Sequence, residues 1–158
     1  MDDQPEGSEQ EAMAAANDKE DHFLRSLADL ANGGMPGLRI TVTLGGMLIS
    51  GQLTSNVAFF NYLKEIFDQM APKPQKDGQQ EARKNVLADF AEQMAQTMQE
   101  RNQAFFSEEE TDYLPTAYLH LRDVRYLVPG SPPFKSDFWR GRIDQISGFT
   151  IGQMVEQE

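Results

Sequence analysis

The chain holds two imidazoles, His22 and His120, and no thiol. Most nucleophilic and transition-metal chemistry at neutral pH draws on those groups, so the inventory is short from the start. Neither histidine stands in an HxH, HExxH or HxxE setting, and a shared metal site would need unlike partners from distant segments. His22 lies at a helix start beside an acidic run, and His120 sits between Leu119 and Leu121 in an alternating stretch. Both are expected to be structural. Without Cys there is no disulfide framework, thiolate nucleophile, or cysteine-ligated zinc or iron–sulfur centre. No GxSxG builds a nucleophile elbow. Gly33-Gly34 and Gly45-Gly46 are followed by neither GKS nor GKT and open no phosphate-cradling helix. Glu108-Glu109-Glu110 with Asp112 is acidic enough to attract a cation, yet it lacks the alternation and the glycine of a calcium loop and reads as a solvated connector. No catalytic, cofactor-binding or metal-binding residue is assigned, and no cofactor is expected. A hydrolase or isomerase using distant carboxylates would first show itself in a pH–rate profile, and the sequence names no pair for it.

The most informative run is near the carboxyl end: Phe138-Trp139-Arg140-Gly141-Arg142-Ile143, then Ile146 and Ser147-Gly148-Phe149-Thr150-Ile151-Gly152. On strands, Phe138, Arg140 and Arg142 share one face while Trp139 and Ile143 point elsewhere, unless Gly141 brings a bulge. Such an aromatic–basic patch could stack on a base or dock an acidic partner. The plainer alternative anchors Trp139 in the core and pairs Arg140 and Arg142 with Asp123, Asp137 or Asp144 on neighbouring strands. On physical grounds the plainer one is favoured.

The elements that position these residues follow from composition and pattern. The 158 residues include 14 Lys+Arg against 25 Asp+Glu, a net charge of −11, and suit one modest domain with or without a tail. That charge disfavours phosphate-backbone binding and adsorption to an anionic membrane. No apolar run approaches the roughly 20 residues of a membrane helix, and the acidic amino end is unlike a secretory signal, so a cytoplasmic protein is expected. Met1 to Asp18 carries six acids and no base, too little apolar surface to offset its ordering entropy, and is expected to be disordered. Residues 19–158 are expected to form one α+β domain with a helical insertion at about 55–106.

A first helix is expected after Asp18, with Phe23, Leu24, Leu27, Leu30 and Ala31 at helical spacing and Asn32-Gly33-Gly34 as its stop. Leu38 to Thr54 alternates as a hairpin about Gly45-Gly46, and Gly51 marks a bulge or bend. Ser55 or Asn56 caps a second helix with a stripe of Phe59, Phe60, Leu63, Ile66, Phe67 and Met70, ended by Pro72 and Pro74. PKPQKDGQQ is a linker. A third helix from about Glu81 to Gln103 shows Leu87, Phe90, Met94 and Met98 along one face, expected to pack the core rather than form a methionine-lined groove. Three strands follow: Thr116 to Val128, Phe138 to Ile146, and Phe149 to Met154, with PGSPP at 129–133 as a rigid loop. The fold class is α+β, a small, strongly bent five-stranded antiparallel sheet or partly open barrel compatible with an Sm- or SH3-like topology, carrying an N-terminal helix and two inserted helices.

The run FWRGRIDQISGFTIGQM at 138–154 resembles the carboxyl-terminal signature of gas vesicle accessory protein U (GvpU), an FWRGK-like strand followed by a hydrophobic GF-x-x-G strand. ITVTLGGMLISGQL followed by FFNYL is similar to that family's β-rich amino half, and HLRDV at 120–124 precedes the signature in both. The resemblance covers roughly Leu38 to Met154. It implies a non-enzymatic role at gas vesicles, the protein-walled buoyancy organelles of the prokaryotic cytoplasm. That role is assembly, or the association and clustering of vesicles. The implied partners are shell proteins, other accessory proteins and further copies of the chain, with no membrane and with nucleic acid disfavoured. The positions taken from the motif as interaction candidates are Phe138, Trp139, Arg140, Gly141, Arg142, Gly148, Phe149 and Gly152. Family members can carry a Ser- and Lys-rich tail after the last strand, whereas Glu158 lies four residues beyond Met154. The acidic stretch Asp2 to Asp18 is expected to aid solubility or tune self-association by charge repulsion.

The alternative is a ring-forming, Sm-like small-barrel RNA binder, since a helix followed by five bent strands with a Gly in the second suits that architecture. Its lumen would have to be basic, and only Arg122, Arg125, Arg140 and Arg142 are available to line it.

Overall fold

A computed structural model describes residues 21–35, 37–71, 85–107 and 115–152. The acidic Met1–Asp18 stretch, the PKPQKDGQQ linker and the Glu108–Asp112 cluster lie outside the described residues. The first described helix, α1 (His22–Asn32), is capped by Asp21 and not by the expected Asp18: the Asp21 carboxylate accepts from the Phe23 and Leu24 N–H groups at 2.9 and 3.2 Å. Its buried face is Leu24, Leu27, Ala28 and Ala31. Phe23 and Leu30, expected to be buried, are about half exposed, because that stripe needs only the small Ala28 beside Leu24 and Leu27.

Strands β1 (Arg39–Leu44) and β2 (Met47–Leu53) form the expected hairpin, turning on Gly45 and Gly46 at φ 55° and 80°, the left-handed pair a two-residue turn demands. Register slips between Ser50 and Gln52, which makes Gly51 the bulge position, and a Cβ there would lie 3.0 Å from the Arg122 carbonyl oxygen. Helix α2 (Asn56–Met70) starts at a Ser55 cap, and α3 (Val86–Phe106) at an Asn85 cap. Strands β3 (Tyr118–Leu127) and β4 (Phe134–Arg142) pair next, and β5 (Gly148–Ile151) closes the chain order.

The five strands form one antiparallel sheet in the order β4-β3-β2-β1-β5. It is open, with β4 and β5 at opposite edges. The core joins α1 to one face of the sheet: Leu24 and Leu27 meet Ile40, Val42, Ile49, Leu53, Leu119, Leu121, Val124 and Ile143. The opposite pleat of β3 and β4, with His120 and Phe138, receives α2, whose Phe59 ring lies 5.1 Å from His120 and 6.3 Å from Phe138.

Two further expectations are corrected. The strand expected over Phe138–Ile146 starts earlier, at Phe134, and breaks at Arg142, where Ile143–Gln145 forms a 3-10 turn. Ile143 there turns inward, almost fully buried, and its N–H donates to the Ala117 carbonyl at 3.0 Å, which redirects the chain toward β1. On α3 the buried face is Ala88, Ala91 and Ala95, while Leu87 and Phe90 are exposed and Met94 and Met98 half-buried. Small alanines let α2 and α3 approach closely, an advantage that outweighs the hydrophobicity of the larger stripe.

Candidate functional site

The motif residues divide into three environments. Trp139 faces the α1 side and packs against the core cluster. Its indole lies over Gly141, where a Cβ would overlap the ring. Gly141 is therefore required by a side-chain approach, and the β3–β4 ladder runs through it without a bulge, pairing Leu119 with Gly141 and Leu121 with Trp139.

On the other face, Phe138, Arg140 and Arg142 stand together, as alternation dictates. Phe138 stacks on Tyr62 of α2 at 4.4 Å, and the Tyr62 hydroxyl donates to Asp137 at 3.4 Å. Burial first, and the Asp137 carboxylate second, raise the Tyr62 pKa. Arg142 pairs with Asp144, one of the acids named from the sequence. Arg140 does not: its guanidinium carbon sits 3.5 Å from the Tyr118 ring centroid and 5.8 Å from that of Phe60. Arg122 donates through Nε to Gln52 at 2.8 Å. Arg122, Arg140 and Arg142 thus have separate local partners, and Arg125 lies across from Lys135 on β4.

Gly148, Phe149 and Gly152 lie on or just after β5, at the far edge of the sheet from β4. Phe149 stacks on Phe23 of α1 at 5.9 Å, and the Gly152 N–H donates to the Arg39 carbonyl at 2.7 Å. The two halves of the motif are not brought into one site.

Of the two histidines, His22 is exposed at the start of α1. His120 is 4% exposed, is the cross-strand neighbour of Arg140, and has an Nε2 with no hydrogen-bond partner among the described residues. Burial, and then the Arg140 charge, push its pKa down to about 3, so the ring is neutral at pH 7. Sequence reasoning passed over it as a mid-strand residue. The available signal was its polar type between two core leucines, on the pleat shared with Arg140. No group of three or more acidic or histidine side chains with metal-holding geometry occurs among the described residues, and no described helix is long and apolar enough to cross a membrane.

The architecture so defined is an α+β protein whose open antiparallel sheet carries α1 on one face and meets the α2–α3 hairpin on the other. Residues 21–154 match a family model described as gas vesicle protein GvpU-like. The chain belongs to the GvpU-like family of gas vesicle proteins. No curated protein and no solved structure matches it.

Proposed function

We propose that this gas vesicle protein is a non-enzymatic accessory factor that works in the cytoplasm by protein–protein contact, in vesicle assembly or in vesicle clustering. The supporting observation is the open sheet. The outer sides of β4 and β5 have no strand partner among the described residues, and Phe134 and Ile151 on those edges are 52% and 48% exposed. A free strand edge is a template for addition of another strand, giving main-chain hydrogen bonds for affinity and side-chain pockets for specificity. The partners read this way are vesicle shell proteins, other accessory proteins, or further copies of this chain. The net charge of −11 weighs against the RNA-ring reading.

Co-flotation tests the reading. Purified protein is mixed with intact gas vesicles, spun gently, and assayed in the buoyant layer and in the subnatant, at low and at high salt. Strand addition predicts protein in the buoyant layer at both salts, because main-chain pairing is little screened while the repulsion between acidic chains falls. Protein that stays below at both salts refutes surface binding. Flotation lost at high salt refutes edge pairing in favour of charged contacts.

A further inference from the structure

A half-open cleft of about 280 Å³ lies where α2, α3 and the β3–β4 ladder meet. Its walls are apolar, with Phe60 from α2, Met94 and Met98 from α3, and Tyr118 from β3 among the residues that line it. Its polar groups are unusual in two respects. His120 contributes a buried Nε2 that no described group satisfies. An orphaned polar atom in a protein interior is unfavourable, so the side chain that carries it, lining the cleft, is an opening for a ligand that reaches it. Beside it, Arg140 is held over the Tyr118 ring and has no carboxylate partner among the described residues. A guanidinium and an imidazole on adjacent strands, at one end of an apolar cleft, form a pair of donors for a two-oxygen anion.

We propose that this cleft binds a small carboxylic acid with an apolar or aromatic body, its carboxylate received by Arg140 and His120 Nε2 and its body by Met94, Met98 and Phe60. An apolar cavity of about 150 Å³ already admits benzene, so the volume suffices for one ring and a carboxylate. The methionines suit the purpose, since flexible thioethers adapt to an aromatic ring and gain contact with it. The cation matches the ligand charge, and with its proton on Nε2 the neutral His120 ring would find in the carboxylate the acceptor it lacks. Nothing in this inference depends on the vesicle role.

The test is a titration of the full chain, labelled at its methionine methyl groups, with benzoate and separately with benzamide, its uncharged counterpart. Benzoate is expected to shift the Met94 and Met98 methyl resonances saturably, with a dissociation constant in the millimolar range or tighter, and benzamide to bind at least about tenfold more weakly. Arg140→Gln should bring benzoate down to the level of benzamide. Met98→Trp, which fills the cleft from α3 and leaves both polar groups intact, should abolish both titrations while the chain keeps its far-ultraviolet circular dichroism. Absence of a saturable shift in the wild-type protein overturns the proposal. So does equal binding of benzoate and benzamide, which would leave an apolar pocket with no preference for an acid.

Discussion

Gly141→Ala isolates the packing of the carboxyl-terminal motif. A methyl group at position 141 would overlap the Trp139 ring, while the backbone there is ordinary extended strand. The indole must therefore swing away from the core it covers. Overpacking of this kind costs about 1–3 kcal/mol. Replacing Gly in a strand interior recovers about 0.5–1 kcal/mol of backbone entropy, which leaves a net loss of about 0.5–2 kcal/mol. For a chain of this size that lowers the melting temperature by about 1–8 °C. Trp139 is the chain's single tryptophan, so its emission reports the displacement directly, and denaturant unfolding followed at that wavelength gives the free energy. Gly148→Ala is the internal control. It lies in the same motif, has an ordinary φ, and a Cβ there meets nothing within 4 Å, so it should keep the entropy gain without the clash and lose no stability. An unshifted emission maximum with unchanged stability in Gly141→Ala, or an equal loss in Gly148→Ala, refutes the argument.

Other consequences are equally direct. His120 has a folded pKa near 3 against about 6.5 when unfolded, so the unfolded chain binds the extra proton between those values. Stability is then full above about pH 6.5 and falls as pH drops toward 3, by up to about 1.4 kcal/mol per pH unit, and His120→Gln should flatten the slope between pH 5 and 6.5 in urea titrations. Asn85 donates to the Phe67 carbonyl at 2.7 Å and accepts from the Ala88 N–H at 3.2 Å, tying the end of α2 to the start of α3. Asn85→Ala should cost about 1–2 kcal/mol in thermal unfolding. Phe134→Lys with Ile151→Lys places charge on both free edges and should remove the protein from the buoyant layer without lowering its melting temperature by more than about 3 °C.

The parts of the fold legible in the sequence were those written in neighbouring residues. Gly45-Gly46 forces the hairpin because only a residue without Cβ adopts two successive left-handed conformations cheaply. Ser55 caps α2, and Met70 is its last helical residue before Pro72. Gly51 sits at the bulge. The fold class followed from the order of these elements. The family followed from the strings at 40–63 and 120–154. Two inferences that needed a partner at long range failed. The larger stripe of α3 reads as its buried face until α2 is docked, and then the alanines win because the helices must come close. Ile143 reads as the continuation of a strand until the core demands it and a 3-10 turn delivers it.

The same division holds for the candidate site. The sequence by itself determined that Phe138, Arg140 and Arg142 share one face and Trp139 the other, since alternation along a strand is a property of the backbone. Only the tertiary structure decided that Gly148 and Phe149 lie at the opposite edge of the sheet, because strand order is set by how the chain returns to β1. It alone placed His120 beside Arg140 and brought α2 and α3 to the cleft that both residues line. Which atoms lose water and partners depends on segments about 20 to 80 residues apart, and no local pattern records those contacts.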